Sequence, residues 1–372
     1  MSLTVVSTGT SSTADRQGAS VPRATRPGQG PSAPSRTLPP VLPTDVATAA
    51  DPVAAVLQAC ERGGLLALRT SGTTDRPRVV VRTAASWADS FPHVSALAGI
   101  DRSSRVWVPG PLGATMNLFA AVHARSVGAP LVEQPGDATH AHLTPAALTA
   151  ALRDGTDLRD RTLVVAGDRL TRDLAARARA AGATTAHYYG AAELSFVAWG
   201  TDEQDLRPFP DVTVDIRDGR IWARSPFLSQ GYTEGEGPFT TAPDGSATVG
   251  DRGRLADGVL TVTGRGSDAV VTGGATVLVG EVEAALRRAT GSDVLVVGLP
   301  HPRLGAVVAA VLTDPATLPR AREAARTALD PAQRPRRWFA LPQLPLTAAG
   351  KVDRAAVAEL AADGRLAPAG AA

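Results

Sequence analysis

The chain of 372 residues holds a single cysteine, Cys60, so no disulfide can form within it. Aromatic residues make up only 4%, too few for the stacking platforms that hold single-stranded nucleic acid. Neither sign of charge is in excess. The 38 basic residues face 36 acidic ones with no concentrated basic face, which argues against a nucleic-acid partner. No apolar run reaches the roughly 20 residues of a membrane-spanning helix. Lysine is as scarce as cysteine. Lys351 is the only one, and every other residue in the Lys+Arg count is arginine.

What is present describes a chain with real cores. Hydrophobic residues are 44% and the mean hydropathy is −0.01, so a soluble, cytoplasmic protein is expected. The length suffices for two domains. Thirty-six glycines and 29 prolines imply many loops. Residues 1–48 are rich in Ser, Thr, Pro, Gly and Arg and poor in large apolar groups. They are expected to be a disordered tail, because they bury too little surface to offset the entropy of ordering. The tail is poor in acids and dotted with arginines, like a transit peptide, and lacks the apolar segment of a secretory signal.

From Asp51-Pro52, an N-cap followed by proline, a helix is expected to run to Gly63-Gly64. Strands then alternate with helices. Strands are expected at 65–70, 105–108, 129–132, 161–165 and 184–189. Helices are expected at 84–98 (interrupted by Pro92), at 113–127, from Thr144-Pro145, and at 170–181. This alternation predicts an α/β fold with a mostly parallel sheet and helices on its faces. Ligands in such folds bind beyond the carboxyl ends of the strands. Past residue 210, short strands around Asp218-Gly219 and Asp257-Gly258 predict an antiparallel section. A smaller α+β unit follows from Gly264. The expected division is a tail at 1–48, a large domain at 49–263 and a small mobile domain at 264–366.

Several stretches carry chemistry. Thr70-Ser71-Gly72-Thr73-Thr74-Asp75-Arg76-Pro77-Arg78 lies between two strands and offers four hydroxyls, a glycine and two cations. Backbone amides and hydroxyls can converge there on phosphate oxygens. Taken alone, the stretch is equally a Ser/Thr-rich turn. Tyr188-Tyr189-Gly190-Ala191-Ala192-Glu193 ends a strand with aromatic faces, a glycine turn and a carboxylate. Such a set can stack a base and hold a hard cation beside phosphates. Asp251 in a turn can accept both hydroxyls of a ribose. Lys351, on a glycine-containing loop, is a compact mobile charge that can reach a developing carboxyl–phosphate centre.

These stretches resemble, in order, the signatures of the adenylate-forming superfamily of acyl-CoA synthetases and adenylation domains. Thr70–Arg78 resembles [ST]-S-G-[ST]-T-G-x-P-K, with Asp75 in place of glycine and Arg78 in place of lysine. Tyr189–Glu193 resembles Y-G-x-T-E, with Ala192 for threonine. Val249-Gly250-Asp251 resembles T-G-D, and Gly231-Tyr232 the G-Y element upstream of it. Gly264-Arg265-Gly266-Ser267-Asp268, Gly273-Gly274 and Glu281-Val282-Glu283 resemble the signature that opens the small C-terminal domain. Pro345–Arg354 resembles P-x-T-x-x-G-K-[IVL]-x-R. The match covers about 65–355. With little before the phosphate loop, it is most like the compact o-succinylbenzoate–CoA ligase type.

The resemblance implies an activity and a set of roles. A small-molecule carboxylic acid reacts with ATP and Mg2+ to give acyl-AMP and pyrophosphate, and CoA then displaces AMP. Lys351 and Glu193 are the expected catalytic residues. Thr70, Ser71, Gly72, Thr73, Thr74, Arg78, Tyr189, Gly190, Asp251 and Arg265 bind the nucleotide. Glu193 and Thr73 hold the magnesium, Gly273 and Gly274 border the CoA tunnel, and Ser267 takes the hinge position normally held by an acid. Neither membrane nor nucleic acid is expected as a partner, and a homodimer stays open. The acyl pocket is sought among Pro111–Asn117, His187, Tyr188 and the turn 166–169. Two other readings stay open. The activated group could pass to an amine, a carrier protein or another nucleophile. Alternatively, the departures at Asp75, Arg78, Ala192, Val249 and Ser267 could mark a non-catalytic nucleotide-binding relative.

Overall fold

The computed structural model describes residues 43–70, 78–234, 237–265, 269–347 and 350–370. The first helix, Pro52–Arg62, begins and ends as its sequence dictates. The Asp51 side chain accepts the Ala54 N–H at 2.9 Å, and Gly63 closes the helix at φ 65°, a conformation that costs glycine no Cβ clash. Residues 43–48, counted with the tail by composition, include the strand Thr44–Asp45, which pairs in parallel with Leu65–Arg69, and the buried Val46.

The centre is a seven-stranded sheet in the order 207–208, 195–200, 184–191, 162–165, 140–143, 106–107, 131–132. The five strands from Thr184–Ala191 to Leu131–Val132 are parallel; Ser195–Gly200 pairs antiparallel to Thr184–Ala191, and Arg207–Pro208 antiparallel to Ser195–Gly200. Alternation along the strands sends side chains to both faces. Ala141, Leu143, Leu163 and Val165 pack with Leu148, Leu174 and Ala175 of the helices Pro145–Arg153 and Arg172–Ala180. Val164 and Ala186 face the other way, onto a core that includes Leu118, Phe119 and Val122 of the helix Thr115–Ser126. The expected doubly covered α/β sheet is therefore present.

A four-stranded sheet joins 44–45, 65–69, 79–83 and 231–232. A third, antiparallel sheet joins 240–241, 247–248, 220–224, 251–256 and 259–265, with 213–217 pairing 220–224. Its hairpins turn at Asp218-Gly219 and Asp257-Gly258, all four residues with φ between 51° and 73°, as a type I′ turn requires. From Ala269 on, another sheet orders 275–278, 269–272, 305–312, 337–340 and 367–368, with 294–301 pairing 305–312. It has two cores of its own, one under the helices Val279–Thr290 and Leu318–Ala328 and one under Arg354–Ala362. Among the described residues no helix is long and apolar enough to cross a membrane.

Two expectations need correction. The helix expected over 84–98 is two helices, Ala85–Ala88 and Phe91–Ala98, with Pro92 in the first turn of the second. The expected strand at 129–132 shortens to Leu131–Val132, because the Ala129 N–H is taken by Ala124 O at 2.9 Å to close the preceding helix.

Candidate active site

Two adjacent parallel strands end in register at Leu143 and Val165, and the next runs on from His187, the partner of Val165, to Ala191. Leu143 leads into Thr144, Val165 into Ala166-Gly167, and the strand Thr184–Ala191 into the turn that carries Glu193. Their carboxyl ends are where a ligand of this fold is expected.

The Tyr189–Glu193 stretch is fixed from several sides. A Cβ on Gly190 would lie 2.1 Å from Ser195 O, so only glycine fits that bulge. Tyr189 donates its hydroxyl to Asp251 Oδ2 at 2.8 Å. Asp251 is also the register partner of Arg265 across the antiparallel hairpin, so two expected ribose contacts are strand neighbours. Glu193 is 7% exposed and accepts the Tyr232 hydroxyl on Oε1 at 2.8 Å. Its own carbonyl accepts the Ser229 N–H. Burial, followed by the Glu193 charge, raises the Tyr232 hydroxyl above its ordinary pKa, so it stays a donor.

Beneath Glu193 lies Arg82, fully buried. It donates to Ser86 Oγ at 2.9 Å, to Ala192 O at 3.1 Å and to Phe227 O. Burial lowers its pKa to about 9, against the pull of the Glu193 carboxylate, so it is charged at neutral pH. Arg82 ties the strand leaving the phosphate loop to the loop that carries Glu193. That strand, Val79–Thr83, is also the pairing partner of Gly231-Tyr232. Of the phosphate loop, Thr70 and Arg78 are described. They close the hairpin with Thr70 N–H to Arg78 O at 2.8 Å and Arg78 N–H to Thr70 Oγ1 at 3.3 Å. Ser71, Gly72, Thr73 and Thr74 lie outside the described residues, as does Ser267.

Lys351 reaches the strand ends from the small unit. A methyl on Gly167 would lie 3.5 Å from Met116 Sδ, 3.5 Å from Thr144 Cγ2 and 3.7 Å from Lys351 Cε. A methyl on Gly350 would lie 3.3 Å from Thr144 Oγ1. The lysine stem therefore lies over the ends of the two strands before Glu193, beside the start of the helix Thr115–Ser126. Arg169 braces the same turn, donating to Val262 O at 2.9 Å and lying 3.5 Å from Glu203.

Two expected pocket residues prove structural. His187 is buried, with Nδ1 bonded to Val165 O at 2.8 Å and Nε2 accepting the Leu170 N–H at 3.4 Å. It supports the 166–169 turn from below. Tyr188 stacks on Trp199 and packs against Phe196 in the aromatic core. Met116, from the stretch 111–117, does face the site, whereas Asn117 is buried and bonds Pro111 O. Gly273 and Gly274 turn their hairpin at φ 55° and 83°, and the Gly273 N–H goes to Leu304 O; these contacts lie within the small unit. Arg82 was missed by sequence reasoning, although its alternation with the buried Val80 marks it as inward-facing. Tyr232 was noted only as part of a motif.

Among the described residues no group of three His, Cys, Asp or Glu could hold a metal by itself. A single carboxylate such as Glu193 still fits magnesium, which takes one or two carboxylates and completes its shell with phosphate oxygens and water.

The fold and this arrangement place the chain in a known class: it belongs to the adenylate-forming superfamily of acyl-CoA synthetases and adenylation domains. It is 31% identical over 325 residues to the probable 2-succinylbenzoate–CoA ligase of Mycobacterium tuberculosis, covering 78% of this chain and 83% of that one. It is 26% identical to the amide bond synthetase McbA of Marinactinospora thermotolerans, with a TM-score of 0.62, covering 77% of this chain and 68% of that one. The fold also matches the o-succinylbenzoate CoA synthetase of Bacillus subtilis in complex with its acyl-adenylate intermediate, at 23% identity and a TM-score of 0.64, covering 78% and 68%. No family model matches the chain.

Proposed function

We propose that this chain is an AMP-forming acid–CoA ligase. The observation that carries the reading is the position of Lys351 over Gly167 and Thr144, at the ends of two parallel strands whose neighbour, Thr184–Ala191, leads into the turn of Glu193. In the first step a carboxylate oxygen of the acid attacks the α-phosphorus of ATP. The bond to the bridging oxygen of the β-phosphate breaks, leaving acyl-AMP and pyrophosphate. In the second step the CoA thiol attacks the acyl carbonyl. A thioester forms, AMP leaves and the thiol proton passes to solvent.

Each group has a task. Lys351 meets the charge that develops between carboxyl and phosphate, a role that suits a compact ammonium. Asp251, held by Tyr189, accepts the ribose hydroxyls, with Arg265 across the strand pair. The Thr70–Thr74 loop and Arg78 bind the triphosphate. Glu193, held by Tyr232, and Thr73 are the residues that would hold magnesium, which supplies neutralising charge beside the phosphates. Gly273 and Gly274 border the thiol path, and the unit from Gly264 moves about Ser267 between the steps.

The acid proposed first is 2-succinylbenzoate, after the relative in Mycobacterium tuberculosis. Likeness to an amide bond synthetase favours one rival, in which an amine replaces CoA as acceptor. Pyrophosphate and AMP release with aromatic, aliphatic and dicarboxylic acids, each with and without CoA, tests the reading. CoA-dependent AMP release with a thioester product is expected. AMP release that needs an amine supports the rival, and no pyrophosphate release with any acid contradicts both.

A further inference from the structure

Glu283 lies in the small unit's helix Val279–Thr290 and is 2% exposed. A carboxylate so deep needs partners for its lone pairs, or burial would drive it to its neutral form. Glu283 has four. Oε1 accepts Arg354 Nη1 at 2.5 Å and the Val296 N–H at 2.9 Å; Oε2 accepts Arg354 Nη2 at 2.9 Å and Arg287 Nη2 at 2.6 Å. The Arg354 contact is a two-pronged fork, which fixes direction as well as distance. Burial is the largest single influence on the Glu283 pKa and raises it, yet Arg287 and Arg354 together leave it below the ordinary value.

Arg354 lies three residues after Lys351, at the first position of the helix Arg354–Ala362. Between them the chain has little slack. The Thr347 N–H donates to Lys351 O at 2.8 Å, the Lys351 N–H to Thr347 Oγ1 at 3.3 Å and the Asp353 N–H to Pro345 O at 2.8 Å. Leu346 and Val352 form an antiparallel bridge, and the Asp353 side chain caps the helix through the Ala356 N–H. The lysine therefore sits on a short braced turn whose helix side is pinned at Arg354.

We propose that Glu283 is a positioning residue for adenylation, acting through Arg354 to hold Lys351 over Gly167. The inference rests on the catalytic role assigned to Lys351 above. The pin lies wholly within the small unit, so it sets where the lysine points without touching nucleotide or acid. A misplacement of about 1 Å in such a group can cost about 10²-fold in rate.

The test uses the full chain, ATP, magnesium and 2-succinylbenzoate, or whichever acid of the panel the wild type activates. Two rates are measured: ATP–pyrophosphate exchange, and CoA-dependent consumption of the acyl-adenylate supplied preformed. Glu283→Gln, Arg354→Gln, their double variant and Arg354→Lys are compared at equal folded fraction. Each single change to glutamine is expected to lower exchange about 10- to 100-fold, with KM for ATP and acid within about twofold and adenylate consumption little changed. Arg354→Lys keeps the charge and loses the fork, so it should recover part of the rate. The double variant should fall well short of the product of the two single losses, since the Glu283–Arg354 fork is the contact both changes break, while Glu283 also holds Arg287 and the Val296 N–H and Arg354 also holds Val296 O. Additive losses, or an equal fall in both half-reactions, overturn the proposal. A Lys351→Ala variant that exchanges at the wild-type rate overturns the catalytic reading itself, a result distinct from failure of the pin.

Discussion

Tyr232 gives its hydroxyl proton to Glu193 Oε1 at 2.8 Å, across 39 positions of sequence. The bond joins Gly231-Tyr232, the strand paired with Val79–Thr83, to the loop that carries Glu193, so these segments are held as one piece. Tyr232→Phe removes the donor and leaves a buried carboxylate oxygen short of a partner. Such a loss costs about 1–3 kcal/mol. The variant is expected to fold with a lowered unfolding midpoint and a KM for magnesium–ATP raised about tenfold, if the carboxylate needs that orientation. Titrating exchange against magnesium–ATP, alongside a denaturant melt, checks both.

Asp251 is expected to read the ribose. If it accepts the 2′ and 3′ hydroxyls, the wild type should use 2′-deoxy-ATP at least about tenfold less well than ATP, since a site built for a hydroxyl penalises its absence. Asp251→Ala should lose most of that preference while its KM for ATP rises. Equal discrimination in both proteins removes the residue from the ribose site.

Gly167 has φ 87°, a conformation costly for any side chain. Gly167→Ala is expected to destabilise the chain by about 1–2 kcal/mol. Space is not the difficulty, since the contacts of a methyl there begin at 3.5 Å. The methyl would, however, stand among Met116, Thr144 and Lys351, so KM for the acid should rise more than KM for ATP. Urea melts and separate saturation curves distinguish the two effects.

His123 and His142 are buried, and burial lowers their pKa to about 4 and about 3 from an ordinary 6.5. Their depressed values make the unfolded chain the stronger proton binder below pH 6.5. The stability they contribute is full above that value and is lost as pH falls toward 4 and below. Each histidine should add up to about 1.4 kcal/mol per pH unit to the slope of unfolding free energy in that window. His142→Leu should flatten the slope measured between pH 6.5 and 4.5.

His142, together with His140, explains part of what the sequence hid. The strand His140–Leu143 went unread because two of its four residues are polar by type, although all four are buried. Ser195–Gly200 was likewise not foreseen, since it enters through Ser195 at φ 61°. The other four parallel strands of the central sheet, the capped helix from Asp51 and the hairpins at Asp218-Gly219 and Asp257-Gly258 were legible, because local pattern and turn chemistry determine them. Among the site residues, motif spacing indicated Glu193, Asp251 and Lys351. It could not reveal that Tyr232 holds Glu193, that Tyr189 holds Asp251 or that Glu283 holds Arg354. Those pairs are 39, 62 and 71 residues apart and meet only in the fold.

Lys351 is the only lysine of the chain, and its stem lies over Gly167 at the end of the strand Thr162–Val165. ATP–pyrophosphate exchange with Lys351→Ala, set beside the wild type on the same acid, tests the account most directly. The expected rate is about 10²- to 10³-fold lower at an unchanged unfolding midpoint. Exchange close to the wild-type rate would contradict it.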